Sequence, residues 1–329
     1  MEQTQKVFYL ETHSQNPYYN LAFEEFVLTH RLEGEYLLLW QNDNTIVVGQ
    51  NQNTEAEINR AFVEEHHINV VRRSTGGGAV YHDLGNLNFT FSMPSPEYDL
   101  KKQQRVIVEA CRLLGVEAEI SGRNDILAGG RKFSGNSFYS HGGRSFHNGT
   151  LLIEADMAKM SLYLAPSRLK LEAKGVNSVR SRVVNLCELA PGITVGAMVE
   201  AMTAAFCSVY CQRVQTLADG SFDRGGIEER RDRFASYEWI YGRNADFPLC
   251  LEERFAWGEL TLRLDVRQGV CTEAAVYTDA MDTGFARPLE VALCGSRLDT
   301  QALCRRVQGV KECAPYAADI CRMLREQNI

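Results

Sequence analysis

Two arginines running almost directly into three glycines mark the first candidate site: Arg72-Arg73-Ser74-Thr75-Gly76-Gly77-Gly78-Ala79-Val80-Tyr81-His82-Asp83. Glycines carry no Cβ, so a ligand can lie against bare backbone and successive N–H groups can converge on an anion. The guanidiniums add delocalised charge matched to phosphate or carboxylate oxygens. Alone, such a segment is more often a flexible turn with solvated arginines. What argues for a site is the company it keeps.

Three further segments carry chemistry. In Gly122-Arg123-Asn124-Asp125-Ile126-Leu127-Ala128-Gly129-Gly130-Arg131-Lys132-Phe133-Ser134-Gly135-Asn136, the Gly129-Gly130 pair reads as a two-residue hairpin turn. Leu127 should then face Lys132 and Asp125 should face Ser134. Alternation puts Asp125, Lys132, Ser134 and Asn136 on one face and Phe133 on the other. A carboxylate and an ammonium there suit either a site or a solvated edge. Phe146-His147-Asn148-Gly149-Thr150-Leu151-Leu152 is a polar-to-apolar strand entry, and His147 taken alone reads as a structural histidine. Between Arg168 and Arg182, five cations stand against the single carboxylate of Glu172. That stretch, up to Val183, is either an exposed basic loop or a clamp over a nucleotide anion.

The elements that must position these groups follow from periodicity. Strands are expected at 6–10, Tyr36 to Trp40 and Thr45 to Val48, the last two joined at Asn42-Asp43-Asn44, with a helix from Asn20 to Leu28. Thr54-x-x-Glu57 reads as a capping box opening a helix through Ile58 and Phe62. Leu87, Phe89 and Phe91 alternate with Asn88 and Thr90, which predicts a half-buried strand. Helices are expected near 101–114, stopped by Gly115, near 155–164, ended by Pro166, and near 194–211. The main sheet should be mixed and largely antiparallel, not a doubly wound parallel one. Composition shifts near Asn244-Ala245-Asp246-Phe247-Pro248. Beyond it, Leu260, Leu262, Leu264 and Val266 alternate with polar residues, Gln268-Gly269 turns the chain, and two short helical patterns close it. The reading is an α/β (α+β) chain in two domains, 1–245 and 246–329.

The 329 residues allow two domains, and 45% hydrophobic with 23% charged residues is ordinary globular composition. A formal charge of −7 argues against non-specific binding to nucleic acid or anionic membrane. The polar N-terminus carries no signal-like apolar region, and no run approaches a membrane span. Ten scattered cysteines, among them Cys207 and Cys211 four apart without a completing zinc set, read as reduced thiols of a cytoplasmic protein.

In order and spacing, Arg72 to Phe89, Gly122 to Asp125 with Arg131 to Asn136, His147 to Leu152, and Lys174 to Val183 resemble the lipoate–protein ligase A family of the biotin/lipoate ligase superfamily. Asn20-Leu21-Ala22-Phe23-Glu24-Glu25, Tyr237 to Gly242 and the C-terminal module fit as well, so the resemblance covers nearly the whole chain. It implies a catalytic domain plus a small α/β accessory domain. It implies a reaction as well: lipoate and ATP, with Mg²⁺, form lipoyl-AMP, and the lipoyl group passes to a lysine of a lipoyl domain. Such domains belong to acyltransferase subunits of 2-oxoacid dehydrogenases or to the glycine-cleavage H protein.

The resemblance also assigns residues. Lys132 would be catalytic, bridging lipoyl carbonyl and phosphate. Arg73 with Gly76, Gly77, Gly78, Ala79, Val80 and Tyr81 would hold ATP and the adenylate. Asn124 and Asp125 would help position phosphates and Mg²⁺, and Val179, Arg180 and Arg182 would cover the adenylate. An apolar tunnel would take the acyl chain at about 0.8 kcal/mol per CH₂. Asn148 stands where many relatives have a second histidine and Tyr139 where some have arginine, so neither these nor His147 receives a role.

Two other readings compete. An ATP-independent octanoyl or lipoyl transferase would use a cysteine nucleophile; no cysteine lies between Cys111 and Cys187. A non-catalytic lipoyl-carrier binding protein would have lost Lys132 or Arg73, and both are present.

Overall fold

Three sheets organise the chain, whose computed structural model describes residues 6–30, 33–122, 124–164, 183–212, 214–218 and 221–327. In chain order the strands are β1 (Val7–Glu11), β2 (Glu35–Trp40), β3 (Thr45–Val48), β4 (Asn69–Arg72), β5 (Val80–His82), β6 (Asn86–Pro94), β7 (Ala118–Ser121), β8 (Asp125–Ala128), β9 (Arg131–His141), β10 (Arg144–Leu152), β11 (Gln215–Leu217), β12 (Leu249–Phe255), β13 (Gly258–Arg267) and β14 (Val270–Thr278). The helices are α1 (Pro17–His30), α2 (Thr54–Glu57), α3 (Arg60–Glu65), α4 (Leu100–Leu113), α5 (Met157–Tyr163), α6 (Leu186–Leu189), α7 (Val195–Tyr210), α8 (Arg224–Ala235), α9 (Tyr237–Tyr241), α10 (Ala286–Leu293), α11 (Thr300–Gln308) and α12 (Ala317–Glu326).

The large sheet has eight strands in the order β11-β1-β2-β6-β10-β9-β8-β7. β1 runs parallel to β2 and β11, and the remaining pairs are antiparallel, so the sheet is mixed as expected. One face of β6 sends Leu87, Phe89, Phe91 and Met93 into a core shared with Val106, Ile107, Met202 and Phe206 from α4 and α7. Each large apolar side chain buried there contributes about 1.5–3 kcal/mol. The ends of those helices follow local rules. Asp99 caps α4 by accepting from Lys102 N, and Gly115 just beyond it takes φ 79°. α1 packs on the other face through Leu21, Phe23 and Val27.

β6 departs from its sequence reading. It is buried on both faces, with Asn88, Thr90 and Ser92 at 1–3% exposure. Alternation predicts one wet side, but that side is covered, with Thr90 bonded to Glu24 of α1 at 2.6 Å and Ser92 accepting from Arg144 Nε at 3.1 Å.

The second sheet, β4-β3-β5, explains the glycines. β3 is parallel to β4 and antiparallel to β5, so the chain from β4 to β5 must cross over the end of β3. The crossing passes Gly49, where a Cβ would run into the Gly77 carbonyl. Gly77 itself has φ 93°. β2 and β3, expected in succession, lie in different sheets.

The third sheet, β12-β13-β14, packs against α10, α11 and α12 as a C-terminal domain with its own core, including Leu260, Leu262, Leu264, Phe285, Leu289 and Leu324. Gln268 and Gly269, at φ 52° and 73°, make the expected turn. Not two but three helices follow it, because α12 also closes on this core.

Two further corrections are local. The cap of α2 is Asn53, whose side chain accepts from Glu55 N; Thr54 lies inside the helix and the helical path breaks at Ile58. In the β8–β9 hairpin Leu127 does pair with Lys132, but a register shift pairs Ile126 with Ser134 and Asp125 with Gly135. α8, with no clear apolar stripe, was not read from the sequence.

Candidate active site

Arg72 ends β4, Arg73 follows it, and the two do different work. Arg72 is 1% exposed. Its guanidinium donates to the carbonyls of Gly49, Gln50, Gln52, Trp239 and Ile240 at 2.7–3.0 Å and to Thr54 Oγ1 at 2.6 Å. Trp239 Nε1 returns a bond to Arg72 O at 2.8 Å. Arg72 is therefore an internal pin holding the β3–α2 connection to α9, and the reading of it as an anion contact is corrected.

Arg73 is half-buried beneath the glycine segment. It donates from Nε to Thr75 Oγ1 at 3.0 Å, from Nη2 to Gly76 O and Gly78 O at 2.7 and 2.9 Å, and from Nη1 to Val47 O at 3.1 Å. Burial lowers its pKa to about 10, still charged at neutral pH. Its charge thus sits inside the loop and fixes the loop's shape. Along the loop, Gly78, Ala79 and Val80 keep partial exposure, whereas Gly76 and Gly77 are buried. Their cover is the C-terminal domain: Gly77 N donates to Ala280 O at 3.3 Å. Tyr81 points its hydroxyl away, to Asn44 Oδ1 at 3.0 Å.

The β8–β9 hairpin brings the second half of the site. Lys132 Nζ lies 2.6 Å from Asp125 Oδ1, both side chains about one-third exposed, 35% and 37%. The ammonium rests over Gly135, 3.1 Å from where a Cβ would stand. Asn124 contributes its carbonyl, which accepts from Asn136 N and Nδ2, each at 2.9 Å. Val184 N donates to Lys132 O at 2.9 Å. Val179, Arg180 and Arg182, expected to cover the adenylate, lie outside the described residues.

Between the loop and the hairpin runs a buried polar path that sequence reasoning missed. Ser137 on β9 is in hydrogen-bond contact with Thr75 Oγ1 at 3.0 Å and with Asn148 Oδ1 on β10. Asn148 Nδ2 donates to Glu24 Oε1 on α1 at 3.1 Å, and Thr90 Oγ1 donates to the same oxygen at 2.6 Å. Burial raises the pKa of Glu24. The available signal was Asn88-Phe89-Thr90-Phe91-Ser92 itself: aromatic residues alternating with amides and hydroxyls also describe a strand that is core on one face and cleft on the other.

His147 is not in this path. It is fully buried, with Nε2 2.6 Å from Asn136 Oδ1 and Nδ1 3.0 Å from Gln103 Oε1. Burial lowers its pKa to about 3; a neutral ring has one N–H, so it donates to Asn136 Oδ1 and its other nitrogen is met by the Gln103 amide turned to present its NH₂. His82 is likewise pushed down to about 3, by burial first and by Arg73 second.

The sequence profile of the lipoyl protein ligase A/B catalytic domain matches residues 16–207. The chain belongs to that family of enzymes. A second profile, the bacterial lipoate protein ligase C-terminus, matches residues 244–320. Among solved structures, this ligase fold is similar to P. falciparum LipL1 in complex with lipoate, at 24% identity and TM-score 0.85, covering 97% of this chain and 99% of that one. It is similar to lipoate–protein ligase A bound with ATP at 25% identity and TM-score 0.61, covering 73% and 99%. A bipartite lipoate protein ligase from Thermoplasma acidophilum, studied with its E2 lipoyl domain, matches at 24% identity and TM-score 0.64, covering 74% and 100%.

Among the described residues no group of three or more His, Cys, Asp or Glu could hold a metal ion, and no helix is long and apolar enough to cross a membrane. All ten cysteines of this family member are free. Cys111 is fully buried, and burial pushes its thiol up to about 12.

Proposed function

We propose that this chain is an ATP-dependent lipoate–protein ligase. A lipoate carboxylate oxygen attacks the α-phosphorus of ATP, pyrophosphate leaves, and lipoyl-AMP forms. The neutral amine of a carrier lysine then attacks the acyl carbonyl and AMP leaves. The observation that supports this best is a juxtaposition on β9. The Lys132 ammonium rests at Gly135, two residues from Ser137, whose hydroxyl touches the Gly-rich loop. Two strand residues span about 7 Å, which supports placing one phosphoryl group within reach of both the cation and the Gly-rich loop.

In this reading Lys132 stabilises charge on the phosphoryl oxygens and later on the departing AMP, while Asp125 holds the ammonium in place. Gly78, Ala79 and Val80 offer the exposed part of the loop to the nucleotide, with Arg73 setting its shape from below. Phe23, Tyr36 and Trp40 form buried core beneath α1, and in this reading the acyl chain lies on the α1 side of the loop, beside Glu24, where displaced apolar contacts would be replaced by its methylenes. Asp125 is one carboxylate already paired with Lys132, so Mg²⁺ would be held chiefly by the ATP phosphates. Residues 1–245 form the catalytic domain and 246–329 the accessory domain. The carriers are lipoyl domains of 2-oxoacid dehydrogenase acyltransferase subunits or the glycine-cleavage H protein, and ten unpaired thiols suit the cytoplasm.

The test is direct. The purified chain with ATP, Mg²⁺ and lipoate should release pyrophosphate, and adding an unmodified lipoyl domain should give AMP and a lipoyl mass increase on one lysine. Transfer from an acylated carrier without ATP, with none from free lipoate, would replace this reading by the transferase one.

A further inference from the structure

We propose that Ser137 is a positioning residue that couples the Gly-rich loop to the α1 side of the cleft, so that occupation of either side favours binding at the other. The inference rests on the functional reading above, which places nucleotide at the loop and the acyl chain beside Glu24.

The argument is a count of protons. Asn148 Nδ2 is committed to Glu24 Oε1, which leaves Asn148 Oδ1 facing Ser137. A carbonyl oxygen only accepts, so the single Ser137 proton goes to Asn148. The 3.0 Å contact between Ser137 and Thr75 must then be made by the Thr75 proton. Thr75 Oγ1 still has a lone pair, and Arg73 Nε donates to it at 3.0 Å. The result is one directed chain from Arg73 through Thr75, Ser137 and Asn148 to the Glu24 carboxyl. Thr90 joins at the same Glu24 oxygen.

With the Glu24 carboxyl ionised, the polar atoms of this chain are satisfied in this orientation, and its members are 8% exposed or less apart from Arg73. Such networks polarise cooperatively, and a break leaves buried groups unpaired on both sides. Ser137 is the link that joins β9 and β10 to the loop. A ligand that orders Glu24 and Asn148 therefore also orders Thr75 and Arg73, and the ordering is not repeated for the second ligand.

The experiment measures binding of α,β-methylene-ATP to the full chain by calorimetry, with and without saturating lipoate. The ratio of the two affinities is the readout. Wild type should bind the analogue about 5-fold tighter or more with lipoate present, in the usual range of site coupling. Ser137→Ala should bring the ratio below about 2-fold, and Thr75→Ser, which keeps the hydroxyl, should retain it. If Ser137→Ala does not fold, Ser137→Cys replaces it, since a thiol fills the space and donates poorly. Wild type that binds both ligands with no synergy, or a Ser137 variant that keeps it, overturns the inference. Wild type that binds neither ligand removes the functional reading instead.

Discussion

Lys132 and Asp125 meet at 2.6 Å although the hairpin register sets Asp125 opposite Gly135 and Lys132 opposite Leu127. The register shift inserts Phe133 as an extra residue in β9, and Phe133 is fully buried in the core. A bulge of this kind re-aims a side chain. Lys132 turns along its own strand, over a glycine that leaves it room, toward the carboxylate.

Because that pair is about one-third exposed, it adds at most about 1 kcal/mol to stability. Lys132→Ala should therefore melt within a few degrees of wild type while lowering pyrophosphate release by about 10²–10³-fold. Asp125→Asn should give a smaller loss, since it frees the ammonium without removing it. Near-normal adenylation by Lys132→Ala would refute the role assigned to it.

Arg72 should show the opposite profile. Arg72→Met leaves the carbonyls of Gly49, Gln50, Gln52 and Ile240 buried without their donor. The expected cost is about 3 kcal/mol or more, read as a lower urea midpoint. A variant of unchanged stability would mean that the carbonyl cage is not what holds α9 in place.

The two neighbouring arginines show where sequence reading stops. The glycines, the hairpin turn, most of the helices and strands and the shared face of Lys132 and Asp125 were legible because they follow local backbone rules or strand alternation. That Arg72 faces inward and Arg73 lies under its own loop depends on β4-β3-β5 order, a non-local fact. The roles of Glu24, Thr75, Ser137 and Asn148 were hidden for the same reason: each is an ordinary polar residue until four elements bring them into one path. The bulge at Phe133 left no periodic trace, so the Asp125–Ser134 pairing failed while the shared face of Asp125 and Lys132 survived.

Acid should unfold this protein through its two buried histidines. The folded-state pKa of His82 and of His147 is about 3, below the ordinary 6.5, so the unfolded chain binds more protons between those values. Stability is then fully present above pH 6.5 and falls as pH drops below it, by up to about 1.4 kcal/mol per pH unit per histidine. Glu24 works the other way. Its pKa is raised above 4.5, so it favours the folded state toward acid and softens the slope there. Urea unfolding at pH 7, 6 and 5 should show the decline, and His147→Gln should make it shallower. A flat profile would contradict the buried neutral assignment.

No thiol should carry the acyl group. Cys111 is a fully buried core residue with its pKa pushed up to about 12, and the Cys187 thiol is also raised, by burial first and then by Glu154 and Glu188. Cys187→Ser and Cys111→Ala should both retain ATP-dependent lipoyl transfer within a few fold. A trapped acyl-thioester on either residue would restore the transferase reading.

The last prediction concerns the amide that two partners want. Gly77 N has one proton and gives it to Ala280 O at 3.3 Å, so under the proposed nucleotide reading a phosphate oxygen would compete with the C-terminal domain's carbonyl for it. Asn51 ties the same two regions together. Thr278 N donates to Asn51 O at 3.0 Å and Asn51 Nδ2 donates to Thr283 O at 3.2 Å. If the nucleotide claims Gly77 N, that contact must open, and ATP with lipoate should raise deuterium uptake across 278–283. Gly76→Ala should mimic the opening without ligand, because its Cβ would run into the carbonyls of Ala280 and Met281. Gly76 does not have a positive φ, so alanine changes this contact and not the backbone. The variant should exchange faster in 278–283 when free and change little further on binding. Unaltered uptake in wild type on adding ATP and lipoate would mean that Gly77 serves the C-terminal domain alone and that the nucleotide rests on Gly78 to Val80.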